Sequence, residues 1–493
     1  MTLEGTDLRK IGIVASNSTE MAAAVILNEG EEKNVKAEDL VLIRNRNGNL
    51  VLAVCRGGLG SNENLRTAAY SPGVAYARMG RHPSNAKEFY AFGLSIIGDV
   101  TRELEQSKYV IAPSSDVEIF EESDNPMSYL ETGPKGEKGK HTIGYYKDTK
   151  PWKVPYNPEY IPYHIGVFGV TGSGKSFLAR YQLIPILSGS GIDVIVFDWK
   201  GSDYAPFYPN DQVVKLKDVY LDEDVVYSYL LSRMDYFGFT GERKYKNDAA
   251  EALEEVISES EWRDQAPSEM KQFLEAKVVA IIEEGQRDKS GALSVYGKMY
   301  VRKFKRGIKK LDDRDFENIL GKKMHEDILK LAREKHVIIM DVSEGSKDEK
   351  LAIFLSFAGY LRGLMEKKEK LKLALLVDEG PQYCPWEPTG IQSDTTEMIT
   401  DLCALGRTYG LSVILLSQGI AGEIGINAAV RRNLNTQFIG KIHPLDMDEA
   451  GKLLSQLDID PKFLVTLGDG YFYFLGKMNP SPIPLLIHFD IPE

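Results

Sequence analysis

The sequence predicts an α/β protein: a parallel sheet flanked by helices, preceded by a small β-barrel and interrupted by a helical insertion. Three observations predict it. Short strand-and-turn patterns fill residues 1–150. From Ile161 on, continuous apolar runs alternate with helical patterns, as strands buried on both faces do. Between Asp203 and Glu334 the strand patterns give way to charged, helical ones.

In the first region Ile11–Val14 opens a strand, and Leu40–Ile43 and Leu50–Val54 flank Asn47-Gly48, a pair suited to a hairpin turn. Tyr90–Val100, Tyr109–Ala112 and Val117–Phe120 read as further strands. Glu121–Lys140, rich in Glu, Asp, Gly, Pro and Lys, reads as a loop or linker. Ile165–Phe168 is an apolar strand followed by a Gly-rich turn and a helix over Phe177–Leu187. Val194–Phe197, Val337–Met340, Leu373–Val377, Leu411–Leu416 and Thr436–Ile439 supply the other strands, with helices such as Leu351–Lys367 and Thr395–Arg407 between them. The insertion carries helices over Val225–Met234, Ala249–Ile257, Met270–Glu284 and Phe316–Leu331. The organisation is therefore 1–150 barrel, 151–204 and 335–478 α/β core, 205–334 insertion, and 479–493 a C-terminal arm limited to extended backbone by its prolines. The arm either crosses to a neighbouring subunit or closes its own domain.

With 493 residues, 43% hydrophobic and 27% charged, the chain is not disordered as a whole. No apolar run approaches the roughly 20 residues of a membrane helix, and Met1–Lys10 lacks a signal peptide's apolar core, so a cytoplasmic location is expected. Cys55, Cys384 and Cys403 lack the spacing of a disulfide framework or a zinc site. A net charge of -12 argues against a simple nucleic-acid coat but leaves room for a local basic surface.

Gly169-Val-Thr-Gly-Ser-Gly-Lys175-Ser176 fits G-x-x-x-x-G-K-[ST] completely, between a strand and a helix. Gly169, Thr171, Gly172, Ser173, Gly174, Lys175, Ser176 and Phe177 form a phosphate cradle, with backbone N–H groups aimed at phosphate oxygens from a helix N-terminus. Lys175 reaches the β- and γ-phosphates of ATP, and the Ser176 hydroxyl reaches Mg²⁺. Leu373–Val377 ends in Asp378-Glu379. Asp378 suits Mg²⁺ and Glu379 suits polarising an attacking water; alone, such an acidic strand end is common. Gln418, at the end of the strand Leu411–Leu416, is placed to sense a γ-phosphate, or is a strand-end polar residue without a ligand.

Four segments together resemble the HerA branch of the HerA/FtsK ATPases: His164–Ser176, Phe197-Asp-Trp-Lys-Gly-Ser-Asp-Tyr204, Val377–Glu379, and Leu405–Leu411 running into Ser417-Gln418. The resemblance implies a RecA-like P-loop ATPase core and an N-terminal HAS-type barrel similar to those of rotary ATP synthases. It implies a homo-hexameric ring that translocates or unwinds double-stranded DNA through a central channel, with a nuclease-type partner docked on it. That partner is NurA in archaeal end resection; in bacteria it is a nuclease or sirtuin-like effector of phage defence. Arg407 matches the family's arginine near the nucleotide, or is an ordinary helix C-terminal arginine. Asp198 and Lys200 match the segment close to the nucleotide. The sequence departs from the family at Tyr163, where a trans-acting arginine often stands; Lys153, Arg431 and Arg432 are the alternative sources.

Arg302, Lys305, Arg306, Lys309 and Lys310 recur at helical spacing and make one basic stripe. It tracks DNA phosphates, or is a solvated face or a contact to an acidic neighbour, and Asp312, Asp313 and Asp315 follow it. Three functions stay open: a HerA-type DNA motor, a conjugative or packaging motor of the same superfamily, or a ring scaffold that regulates an effector nuclease with ATP turnover secondary.

Overall fold

The computed structural model describes residues 8–66, 71–82, 88–131, 140–234, 248–259, 261–287, 291–454 and 459–491. Parts of the expected segments lie outside them: 1–7, 67–70, 83–87 and 132–139 of the first region, 235–247, 260 and 288–290 of the insertion, 455–458 of the core, and 492–493 of the arm. The chain divides into two compact units. One comprises the residues up to Gln182 with Ser417–Gly425 and everything from Leu434; the other comprises Leu183–Leu416 and Ile426–Asn433.

The first unit opens with strands β1 (Arg9–Val14), β2 (Ala22–Leu27), β3 (Leu40–Arg44) and β4 (Leu50–Asn62), helix α1 (Pro72–Arg78), and strands β5 (Glu88–Asp99) and β6 (Asp116–Ile119). The six strands close a barrel in the order β1-β2-β5-β4-β3-β6, with all pairings antiparallel. Alternation puts Ile11, Val25, Val41, Val51, Ala53 and Val117 into its core. Asn45–Asn49 makes the expected hairpin turn. The strand expected over Tyr109–Ala112 does not form. Side chains satisfy its backbone instead: Asn45 Nδ2 donates to the Val110 carbonyl (3.2 Å), Asn45 Oδ1 accepts from the Ala112 N–H (3.0 Å), and Ser18 Oγ donates to the Ile111 carbonyl.

The hairpin β7 (Thr142–Tyr146) and β8 (Thr149–Pro155) leaves the barrel and joins a second sheet, which also holds β9 (Ile165–Phe168). Helix α2 (Lys175–Leu178) follows β9. Where the sequence predicts one helix over Phe177–Leu187, residues Ala179–Leu183 form a π-turn before α3 (Ile184–Gly189). Pro185 is the cause: it has no N–H for the Tyr181 carbonyl, and its ring would strike that carbonyl in a regular α-turn.

The second unit carries β10 (Asp193–Asp198) and β11 (Val213–Lys215), then α4 (Glu223–Arg233), α5 (Asp248–Ser258), α6 (Pro267–Gly285), α7 (Val295–Ile308), α8 (Asp313–Ile319) and α9 (His325–Lys335). Next come β12 (Val337–Asp341), α10 (Lys347–Glu366), β13 (Leu373–Val377), α11 (Gly380–Tyr383), α12 (Ile391–Tyr409), β14 (Leu411–Ser417) and α13 (Ala428–Arg432). Its strands are parallel in the order β11-β12-β10-β13-β14. All five residues of β13 and all seven of β14 are buried, which accounts for their unbroken apolar sequence. The insertion is helical as expected, but it begins with the edge strand β11, in register Val213↔Ile339 with β12. The single helix expected over Phe316–Leu331 is two, because Gly321 lies flat on the backbone of Val219. A Cβ there would come within 2.1 Å of the Val219 carbonyl oxygen, and the close approach lets Lys323 donate to the Asp218 carbonyl (2.8 Å) and accept from the Tyr220 N–H (2.8 Å), bonds that take the backbone out of the helix.

The first unit resumes with β15 (Thr436–Ile439), α14 (Met447–Leu454), α15 (Pro461–Val465), β16 (Tyr471–Gly476) and β17 (Leu485–His488). β15 pairs parallel with β9 and antiparallel with β16, and β17 lies between β16 and β7. The C-terminal arm is thus a strand of its own unit. A buried network ties barrel to sheet within this unit. Arg56 Nε donates to Glu38 Oε1 (2.9 Å), Arg56 Nη2 to the Pro484 carbonyl (2.7 Å), and the Tyr473 hydroxyl to Glu38 Oε1 (3.0 Å).

Candidate nucleotide site

Within the first unit, β9 delivers the glycine-rich loop to α2. Gly174 is the N-cap of α2 with φ +97°, a left-handed conformation that lets the loop N–H groups converge. Its α-carbon also lies against Gly470, whose N–H donates to the Ser173 carbonyl (3.0 Å), so a side chain there would crowd the loop. The Gly169 N–H donates to the Ser417 carbonyl (3.1 Å) and the Val170 N–H to that of Lys441 (2.8 Å), which fixes the loop's base. Lys175 Nζ folds back over the loop and donates to the carbonyls of Gly169 (2.6 Å) and Val170 (3.1 Å). The Ser173 hydroxyl is buried without a hydrogen-bond partner. Thr171 Oγ1 donates to Gln418 Oε1 (3.2 Å), so the loop and the end of β14 meet in one hydrogen bond. Ser176 and Phe177 lie in the first turn of α2. Phe177 stacks on Tyr181 with ring centres 5.8 Å apart, and the buried Arg180 guanidinium lies over both rings.

In the second unit β13 ends at Asp378, which is 3% exposed. Burial, and then the charges of Glu379 and Asp203, push its carboxyl up to about 7, with Lys200 pulling the other way. Asp378 Oδ2 is buried without a partner. Glu379 has φ +54° and begins α11; its carboxylate forms an ion pair with Lys200 Nζ. Burial acts to lower the Lys200 pKa, but Glu379, Asp378 and Asp203 together raise it, so the ammonium is firmly charged. Asp198 is fully buried and accepts from the N–H groups of Gly201 (2.9 Å), Tyr204 (3.0 Å) and Ala205 (3.0 Å). It shapes the turn that presents Lys200. Lys350 Nζ donates to the Trp199 carbonyl (2.8 Å) and sits over its ring, bracing the same turn from α10.

Residues 141–358, which contain the phosphate loop and the Asp198–Lys200 turn, match the family model described as "Helicase HerA, central domain". This stretch of the chain is similar to the central domain of HerA-type helicases. No curated protein matches it. Among solved structures, the chain is similar to VirB4 of Thermoanaerobacter pseudethanolicus, at 16% identity over 71% of this chain and 96% of that one, TM-score 0.48. It is also similar to the bacterial conjugative coupling protein TrwBdeltaN70, at 14% over 76% and 93%, TM-score 0.46. A third is the genome packaging NTPase B204 from Sulfolobus turreted icosahedral virus 2, in complex with ATP-gammaS, at 13% over 67% and 99%, TM-score 0.33.

The structure places the remaining expected residues as follows. Arg407 is exposed in the last turn of α12. Tyr163 packs edge-on against Tyr160 at 5.1 Å. Lys153 lies over the Tyr145 ring and Arg431 over that of Trp386, while Arg432 is exposed on α13. The sequence reading missed Asp203, Lys350 and Arg180. Arg180 carries a local signal, sitting between two aromatics one turn past the loop; Lys350 carries none, because only the fold brings it to Trp199. No described helix is long and apolar enough to cross a membrane.

Proposed function

We propose that the chain hydrolyses ATP to drive double-stranded DNA through the central channel of a homo-hexameric ring, as a translocase or helicase. It works with a nuclease-type partner in DNA end processing or phage defence. The similarity of residues 141–358 to the central domain of the HerA helicase supports an ATP-driven motor on nucleic acid. The single observation that carries the hydrolytic reading is the pair at the end of β13: a buried Asp378 beside a Glu379 held by Lys200.

In this reading the N–H groups of the loop Gly169–Phe177 bind phosphate, and Lys175 exchanges its loop carbonyls for β- and γ-phosphate oxygens. Asp378 fits Mg²⁺: its Oδ2 is a buried oxygen without a partner, and its high pKa records a desolvation cost that a divalent cation removes. Ser176 is the hydroxyl ligand. Bound with ATP, Mg²⁺ supplies neutralisation of phosphate charge. Glu379 orients and deprotonates the attacking water, Gln418 senses the γ-phosphate through the loop residue Thr171, and Arg407 answers its charge.

A second reading, a ring scaffold with secondary ATP turnover, is favoured by Tyr163 at the position where the family often has a trans-acting arginine. ATP hydrolysis with and without linear duplex DNA separates the two, measured beside Lys175→Ala and Glu379→Gln. DNA stimulation abolished by both substitutions supports the motor. A low rate indifferent to DNA overturns it in favour of the scaffold.

A further inference from the structure

The helical insertion carries a surface that the nucleotide chemistry does not use. Helix α7 buries Gly297, Phe304, Gly307 and Ile308 and turns its other side outward. On that side Lys298, Arg302, Lys305, Arg306 and Lys309 line an open groove of about 490 Å³ with Leu293 and Val301, and no acidic residue lines it. A second groove of about 510 Å³ runs between α7 and α6. It shares Lys305 and Lys309, adds Lys271, and contains one acid, Glu275, which pairs with Lys305 at 3.2 Å. Of the three acids that follow the stripe in sequence, Asp313 is exposed and the other two are engaged within the insertion. Asp315 is 2% exposed and engaged by Arg233 (2.8 Å) and the Tyr229 hydroxyl (2.9 Å), while Asp312 caps α8 by accepting from the Asp315 N–H (3.1 Å).

We propose that the outer face of α7 is a contact for the phosphate backbone of duplex DNA. It rests on the DNA-motor reading above. The density of positive charge along the helix suits that ligand. From Lys298 to Lys309 the helix advances about 17 Å at about 1.5 Å per residue. The five cations of the groove therefore lie on average about 4.1 Å apart along the axis, a density of the same order as the one phosphate per 3.4 Å of one strand of B-DNA. A chain of net charge -12 repels DNA over most of its surface, so a groove in which, among the described residues, only Lys305 of the five cations is paired with an acid also decides which face the duplex approaches. The groove has no ring stack to hold unpaired bases, and its row of cations suits the regularly spaced phosphates of a duplex. The exposed apolar residues of α7, Val295, Tyr296 and Met299, belong to its first turns, apart from the main run of cations, so the two features are separable by substitution.

The test is binding of the full chain to a labelled linear duplex of arbitrary sequence across a salt series. The wild type is compared with Arg302→Gln/Arg306→Gln/Lys309→Gln and with Val295→Ser/Tyr296→Ser. All substituted residues are exposed, and an unchanged thermal transition confirms folding. Loss of three phosphate contacts is expected to flatten the slope of log K against log salt by about 2.7, at about 0.9 per contact, whatever the sequence. The apolar variant keeps the wild-type slope. Wild-type binding with an undiminished slope in the triple variant overturns the assignment of α7 and leaves the motor reading standing. So does a triple variant that binds DNA normally but changes its assembly mass, which would make the stripe a contact between copies. Absence of any duplex binding by the wild type at low salt overturns the assignment and the motor reading together.

Discussion

Lys200 Nζ forms an ion pair with the carboxylate of Glu379 while the buried Asp378 stands next to it in the chain. One ammonium therefore serves two acids. It holds the glutamate, whose backbone is in the left-handed region, and it works against the burial that drives the aspartate pKa upward.

Removing that ammonium is expected to impair hydrolysis in a way that depends on pH. In Lys200→Met, Asp378 loses its one stabilising cation, so its pKa rises beyond about 7. The acid limb of the kcat/KM profile then moves to higher pH, since the ionised form is the one that takes Mg²⁺. At pH 7 the rate falls on the order of 10- to 100-fold, short of the loss expected for deleting a general base. Lys200→Arg keeps the charge and restores most of the profile. An acid limb that stays in place while the rate drops would assign Lys200 a packing role only.

The hydrogen bond from Thr171 to Gln418 predicts a different kinetic signature. If Gln418 senses the γ-phosphate as it is transferred, Gln418→Ala lowers kcat and kcat/KM equally, by about tenfold for one hydrogen bond of about 1.4 kcal/mol, and leaves KM alone. Thr171→Ser keeps the hydroxyl and retains most of the rate. A rise in KM with kcat unchanged would make Gln418 a ground-state contact.

The Arg56–Glu38 pair joins barrel to sheet inside one unit, with both side chains almost fully buried. Arg56→Met leaves Glu38 buried with only the Tyr473 hydroxyl against its carboxylate, and is expected to cost about 3–5 kcal/mol. Arg56→Met/Glu38→Leu removes the orphaned charge and recovers most of that. Denaturant titration of the three proteins checks it. A double variant no better than the single one would show that the Pro484 carbonyl, not the ion pair, is what Arg56 mainly serves.

Local signals carried far in this sequence. The phosphate loop and β13 were legible because glycine spacing and an unbroken apolar run are properties of neighbouring residues. Tyr109–Ala112 has the composition of a strand, yet Asn45 and Ser18, distant in sequence, take its backbone groups. Gly321 sits inside a helical pattern, and only its approach to Val219 shows that it ends one helix. Val213–Lys215 is too short to stand out until β12 pairs with it. In the candidate site, Asp198 matches by its motif a segment close to the nucleotide, and the structure commits both its oxygens to three backbone N–H groups. The pairing of Lys200 with Glu379 is a property of the parallel register of β10 with β13, which no spacing encodes.

Asp378 makes the sharpest claim about stability. Its carboxyl has an ordinary value of 3.8 and is raised to about 7 by burial and by Glu379. As pH rises past about 4 the unfolded chain releases this proton first, so the folded state binds more protons and its stability falls from about pH 4 to about pH 7. Above that window the loss is complete and amounts to at most about 4 kcal/mol, at about 1.4 kcal/mol per pH unit of displacement. Asp378→Asn has no proton to lose. The variant is expected to melt at the wild-type temperature below pH 4, to pull ahead through the window, and to keep a constant advantage above it, while ATP hydrolysis is abolished. Mg²⁺ with ATP should narrow the gap by stabilising the wild type alone. Thermal melts across the pH range decide the matter: parallel curves for the two proteins would mean that the aspartate is ionised without penalty, and the case for it as a cation ligand built on burial would fail.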